Sequence, residues 1–233
     1  MLFGSYQLLL EDPASFVRLA VLIIFSLVVA ITVHEFSHAL IARGLGDYTA
    51  QRLGRLTLNP LKHLDPSGTV LLLVSGFGWG KPVPVNPQRL SRGPLGMSLV
   101  AAAGPLSNLA TAFLVAVPIK LGILGWSSPS LGRATFVMSG GLREGLTDIV
   151  GMVIFFNILL AVFNLIPLAP LDGSKVVEGL LPRHLAASFA RFQQYGPIIL
   201  IGVVLIDAVS GLRILWRVIG PIVQGLVSAA TGF

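Results

Sequence analysis

His34 and His38 stand four residues apart, and Glu35 directly follows the first of them. On an α-helix that spacing places both imidazoles on one face, one turn apart. Two imidazoles held this way can bind one Zn²⁺. Glu35, rotated about 100° around the helix, can reach a water beside the metal without being a ligand. His34-Glu35-Phe36-Ser37-His38 is thus H-E-x-x-H, the pattern of zinc hydrolases. The blander reading is a polar spot in a core helix. Against it, the only charged side chains from Phe16 to Ile41 are Arg18 and Glu35. An ionisable cluster in so long an apolar run is costly to bury, and by default it marks function.

The elements that position this cluster must be membrane helices. Of the 233 residues, 54% are hydrophobic and 11% charged, and the mean hydropathy is +0.85. Soluble domains carry about 25% charged residues. The chain lacks the polar surface to coat a soluble globule, which excludes a soluble zinc hydrolase. No alternation of ~10-residue strands suggests an outer-membrane barrel, so an all-α polytopic membrane protein is expected. The net charge of +6 fits basic loops that orient helices in the lipid bilayer. No Gly-rich phosphate loop or aromatic-basic module points to nucleic acid. Without cysteine, any metal must be held by His, Asp or Glu. Residues 1–13 lack a basic leader and do not read as a cleavable signal peptide.

Four main spans are predicted, at about 16–42, 95–119, 147–168 and 195–215, within a single domain covering 1–233. A shorter apolar tail follows from Val218. The first span ends at Arg43-Gly44-Leu45-Gly46-Asp47, where glycines stop the helix. Pro105 frees a carbonyl and bends the second span, and the small residues 101–104 allow close packing. Asn108 in that span needs a polar partner, either across helices or at a site. Asp207 can pair with Arg213 or line a wet pocket. His63 reads as a surface or capping group, and 175–195 as an amphipathic surface segment.

Residues 67–90 fit no simple helix. Thr69–Val74 is too short to span, and Pro82 and Pro84 force extended backbone. They strip donors from one side and leave the Val83 and Val85 N–H groups on the other, as in an edge strand. The expectation is a re-entrant or interfacial β-hairpin packed against protein.

Basic residues concentrate between spans one and two: Arg43, Arg52, Arg55, Lys62, Lys81, Arg89 and Arg92. That loop should face the cytoplasm, with the N-terminus outside. The H-E-x-x-H then lies near the cytoplasmic end of span one, and Asp172 at the same end of span three. His34, His38 and Asp172 would offer zinc two nitrogens and one oxygen, leaving a fourth position open.

These residues resemble the site-2 proteases, the intramembrane zinc metalloproteases. His34-Glu35-Phe36-Ser37-His38 is similar to their metal motif. Asn164-Leu165-Ile166-Pro167-Leu168-Ala169-Pro170-Leu171-Asp172-Gly173 is similar to their second motif, and Gly78–Pro87 to a hallmark of the prokaryotic members. Gly104-Pro105-Leu106-Ser107-Asn108 also fits. The second proline often sits one residue earlier, where this chain has Ala169. The resemblance implies that His34, His38 and Asp172 bind Zn²⁺, that Glu35 is the general base, and that Asn164 helps hold the substrate backbone. It also implies a minimal prokaryotic type without PDZ or CBS module, in the cytoplasmic membrane.

The expected activity is hydrolysis of peptide bonds in or near transmembrane segments of membrane protein substrates. The segment 82–86 would capture the unwound substrate by strand addition through Val83 and Val85, with Asn108 a further candidate contact. The other reading of 82–86 is a plug against lipid. Two other classes compete: an ion transporter, for which no repeated halves are found, and a non-catalytic zinc-binding membrane scaffold, which would have no use for Glu35.

Overall fold

The structure, a computed structural model, describes residues 6–68, 70, 78, 80–126 and 141–233. A short helix α1 (Tyr6–Glu11) leads into α2 (Pro13–Gly44). Asp12 starts α2: its carboxylate accepts the Ser15 N–H, and Pro13 occupies a first-turn position that needs no donor. Thirty-two residues make about 48 Å of helix, more than the ~30 Å hydrocarbon layer. α2 ends at Gly44, in the predicted stop.

After α3 (Thr49–Arg52) come α4 (Gly93–Val115) and its short continuation α5 (Val117–Lys120). α6 (Leu142–Asn164), α7 (Asp172–Leu180), α8 (Arg183–Gln193), α9 (Gly196–Ser210) and α10 (Ile214–Thr231) complete the order. Among the described residues four helices are long and apolar enough to cross a membrane: α2, α4 with α5, α6 and α10. The architecture is that of a multi-pass helical membrane protein.

α2, α4 and α6 pack mutually, α7 lies on α4, and α10 lies along α6. Leu19, Leu22, Ile23 and Leu27 of α2 meet Met152 and Phe156 of α6. Ala112 and Ala116 let Ile154, Ile158 and Val162 approach α4, and Ile219 and Val223 bring in α10. The opposite face of α2 exposes Val17, Val21, Ile24 and Phe25, as a lipid-facing side does.

Two expectations need correction. The span predicted over 195–215 is not one helix. α9 stops at Ser210, Gly211 takes φ +66° and Arg213 φ +54°, and a new helix starts at Ile214. Among the described residues Asp207 forms no ion pair with Arg213. Its carboxylate accepts the N–H groups of Ile214 (2.6 Å) and Leu215 (3.0 Å), capping α10. The fourth long apolar helix is α10, which had read as a short tail. α8 and α9 are together long and apolar enough to cross, bent by 49° at their junction, as a broken span or a re-entrant loop is.

The β-hairpin over 67–90 is the second correction. Residues 69, 71–77 and 79 lie outside the described residues. Among the rest no strand forms: one antiparallel bridge joins Leu64 to Gly80, and 81–86 run as irregular chain. The prolines that forbid helix here also remove the donors a ladder needs. His63 is likewise not on the surface. It is fully buried, with Nε2 on the Thr57 carbonyl (2.7 Å).

Candidate metal centre

α2 carries His34 and His38 on its buried face, 5% and 8% exposed. Their ring centroids are 4.6 Å apart. Asp172 reaches them from the first turn of α7. Its Oδ2 lies 3.0 Å from His34 Nε2 and 3.2 Å from His38 Nε2. All three candidate ligand atoms fall within 4.8 Å of one another.

The other ring nitrogens decide what this convergence means. His38 Nδ1 lies 2.7 Å from the Val100 carbonyl, which can only accept, so Nδ1 carries the proton. Pro105, in the next turn of α4, cannot donate to the Ala101 carbonyl four residues back. His34 Nδ1 lies 2.7 Å from Asn108 Oδ1. Asn108 must present its oxygen there, because its amide nitrogen donates to the Ala30 carbonyl (2.9 Å) and to Asn157 Oδ1 (2.8 Å). In neutral rings both Nε2 atoms are then lone pairs, and they face a carboxylate oxygen.

With both rings neutral, as metal ligation requires, three acceptors aimed at one point have no donor among them. Asp172 Oδ2 is indeed buried without a hydrogen-bond partner. A cation resolves the conflict, and the spacings suit zinc: with bonds of about 2.0–2.1 Å, two ligands of a tetrahedral shell sit about 3.3 Å apart. Two nitrogens and one oxygen also leave a fourth position, as catalytic sites do.

Two glycines make the approach possible. A Cβ on Gly104 would stand 2.6 Å from His34 Cε1 and 2.6 Å from His38 Nε2. A Cβ on Gly173 would stand 2.3 Å from the Leu165 carbonyl oxygen, so the turn that delivers Asp172 closes only with glycine beside it. Gly104→Ala is expected to empty the metal site while keeping the helix. Alanine favours helix over glycine by about 1 kcal/mol, so zinc content should fall with circular dichroism unchanged.

Glu35 is half-buried and accepts the Val83 N–H at Oε2 (3.0 Å). The segment 81–86 is thus laid over the carboxylate. Asp47, fully buried past the end of α2, anchors that segment by accepting the Asn86 N–H (2.6 Å) and the Thr49 N–H (3.0 Å). Burial alone would raise the Asp47 pKa. The Thr49 hydroxyl, the Asn86 and Thr49 N–H groups and nearby Arg89 outweigh it and hold the carboxyl below its ordinary range.

The remaining candidates are placed as follows. Asn108 is fully buried, and its amide is committed to His34, Ala30 and Asn157. Asn164 ends α6, half-buried, its amide donating to the Leu160 carbonyl (3.0 Å). Val83 is held by Glu35, and Val85 packs against the cluster of Ala42, Leu90 and Val100. Sequence reasoning missed Asn157 and Gln193. Gln193, on α8, brackets the turn before Asp172: its amide donates to the Pro167 carbonyl (3.0 Å) and accepts the Ala169 N–H. The signal for both was an uncharged amide where an apolar or exposed residue would serve.

Comparison with known proteins agrees with this geometry. Residues 134–206, which include Asn164 and Asp172, match the model of "Peptidase family M50". "Putative zinc metalloprotease YwhC" of Bacillus subtilis is 39% identical over 194 residues, spanning 83% of this chain and 84% of that protein. "Putative zinc metalloprotease Rip2" of Mycolicibacterium smegmatis is 29% identical over 202 residues, or 85% and 72% of the two chains. The Rip2 of Mycobacterium tuberculosis strain H37Rv is 26% identical over 204 residues, or 86% and 73%. No solved structure matches the chain. With 39% identity over an alignment that spans 83% of this chain and 84% of its relative, and an acceptor cluster suited to zinc, the protein belongs to peptidase family M50, the zinc metalloproteases of the site-2 type.

Proposed function

We propose that this protein is an intramembrane protease of the prokaryotic cytoplasmic membrane. It cuts peptide bonds in or near the transmembrane segments of other membrane proteins, from a site near the cytoplasmic side. The observation that carries the reading is the convergence of His34 Nε2, His38 Nε2 and Asp172 Oδ2 inside a bilayer-length helix, with Glu35 beside them. The ligands are His34, His38 and Asp172. Zinc held there supplies a Lewis acid for the carbonyl and a lowered pKa for water.

The chain's own groups do the rest. Glu35 takes the proton of the attacking water and passes it to the leaving amine. His34 lies ten residues before Gly44, about 15 Å of helix from the end of α2, so water need cross only part of the bilayer. A helical substrate hides its carbonyls in its own hydrogen bonds and must unwind locally. Asn164, the last residue of α6, would hold the unwound backbone. Val83 and Val85 offer N–H groups for pairing by strand addition. The Val83 N–H is engaged by Glu35 at rest, so capture of substrate along this segment also releases the base.

The test is cleavage of a tagged single-span substrate by the full chain in detergent. The enzyme is stripped with a chelator and then reloaded with zinc. Cleavage lost on stripping and regained on reloading supports the reading. A protein that binds zinc tightly yet cleaves none of a panel of single-span membrane proteins is the scaffold instead.

A further inference from the structure

The metal centre does not end at its ligands. From His34 a chain of buried hydrogen bonds runs across three helices. His34 Nδ1 donates to Asn108 Oδ1 (2.7 Å), Asn108 Nδ2 donates to Asn157 Oδ1 (2.8 Å), and Asn157 Nδ2 donates to the Val153 carbonyl (2.8 Å). Both asparagines are 0% exposed. α2, α4 and α6 each contribute one side chain to it.

The direction of every bond in this chain is determined. The Val153 carbonyl only accepts, so Asn157 must turn its nitrogen to it and its oxygen to Asn108. Asn108 must then turn its nitrogen to Asn157, where the Ala30 carbonyl also receives it (2.9 Å). Its oxygen is left for His34, and His34 must carry its proton on Nδ1. The consequence reaches Nε2, whose lone pair is aimed at Asp172. A reversed Asn108 amide would set a donor against Nδ1, which would then have to give up its proton to Nε2 and block the ligand position. In an apolar core such a reversal leaves unpaired groups, each costing roughly 1–3 kcal/mol, so the chain holds one sense only.

We propose that Asn157 is a positioning residue of the metal centre, acting through Asn108 to hold His34 in the tautomer that presents Nε2 to zinc. This rests on reading His34, His38 and Asp172 as the zinc ligands. The hydrogen bonds of Asn157 go to Asn108 and Val153, so it acts on His34 only through Asn108. Groups that orient a metal-bound imidazole are typically worth 10- to 100-fold in metal affinity. Asn157 lies at the outer end of the relay, and about tenfold is expected from it.

The experiment is a double-mutant cycle on the full chain in detergent. Zinc affinity is read by competition with a chelator, and the melting temperature of the zinc-free protein is read beside it. Asn157→Leu should weaken zinc about tenfold, and Asn108→Leu by at least as much. Adding Asn157→Leu to Asn108→Leu should weaken it no further, because the relay is already cut. Asn157→Asp is the conservative variant. Its carboxyl, kept protonated by the apolar surroundings, can donate to Val153 and accept from Asn108, so its zinc affinity should stay close to wild type. The proposal is overturned if Asn157→Leu only lowers the melting temperature and binds zinc like wild type. It is overturned equally if the loss is the same size with Asn108 present or absent. Should Asn157→Leu fail to fold, Asn157→Asp decides: about tenfold weaker binding by this neutral mimic overturns the proposal. Failure of the wild-type protein to bind zinc would instead sink the assignment of the three ligands, a distinct outcome.

Discussion

Glu35→Gln is expected to keep its zinc and lose its cleavage. Glutamine has the same shape, and its side-chain oxygen can still accept the Val83 N–H that Glu35 receives at 3.0 Å. The segment 81–86 therefore stays where it is, and so does its anchor at Asp47. His34, His38 and Asp172 are untouched, so metal content and zinc affinity should equal those of wild type. What glutamine cannot do is take up a proton from water and return it to the leaving amine. General acid–base groups contribute about 10²–10⁴ in rate, and here one group serves both steps, so the loss should fall toward the upper end. The check is the cleavage rate of a tagged single-span substrate beside bound zinc per chain. Equal rates for the two proteins would remove Glu35 from the mechanism and point to a contaminating protease.

Asp172→Asn should have the opposite signature in the metal and the same one in activity. The asparagine amide is the shape of the carboxylate it replaces, but it carries two N–H donors. Turned toward α2, those donors meet the Nε2 lone pairs that now face Asp172 Oδ2 at 3.0 and 3.2 Å. Three mutually repelling acceptors become a satisfied, neutral hydrogen-bonded cluster. The zinc-free variant should thus melt no lower than the zinc-free wild type. Zinc binding loses a charged ligand and must also break these new bonds. With roughly 10–16 kcal/mol of binding shared by four ligands, one ligand is worth about 3 kcal/mol, or at least about a hundredfold in affinity. Chelator competition measures the affinity, and calorimetry the melting. Unchanged zinc affinity would show that Asp172 is not a ligand. Together the two variants separate the proton-transfer role from the metal-holding role.

Much of this was open to inspection before any coordinates. Residues 16–42, 95–119 and 147–168 are long apolar runs, and such runs have one stable form in lipid. The helices found there start two to five residues earlier, and the third ends four residues sooner, at Asn164. The same test failed near the C-terminus for a physical reason. Hydropathy registers what a residue is, not whether the backbone turns left-handed. Gly211 and Arg213 break an otherwise continuous apolar stretch, and only the geometry shows Asp207 capping the helix beyond them. Around its prolines the segment 67–90 is non-helical as expected, with 81–86 irregular, although residues 67, 68 and 70 are helical and 87–89 form a 3-10 turn. Whether extended chain pairs into a ladder depends on partners far away in sequence, and among the described residues none form one. His34, Glu35, His38 and Asp172 were visible through spacing and charge. Asn157 was not: within an apolar run, an amide that packs helices and one that orients a ligand are written with the same letter. Their difference lies in which neighbour they face: for Asn157 it is Asn108, 49 residues away, which in turn meets His34.

His34 and His38 belong to one end of the chain and Asp172 to the other, 134 positions beyond His38. A cation shared by all three therefore closes a very long loop, a constraint on chain entropy rather than a local contact. Because the unfolded chain has no such preformed site, occupancy enters the folding equilibrium by mass action and is worth about 4 kcal/mol at a thousand times the dissociation constant. The free zinc level of the cell then sets how long each molecule persists as well as how fast it works.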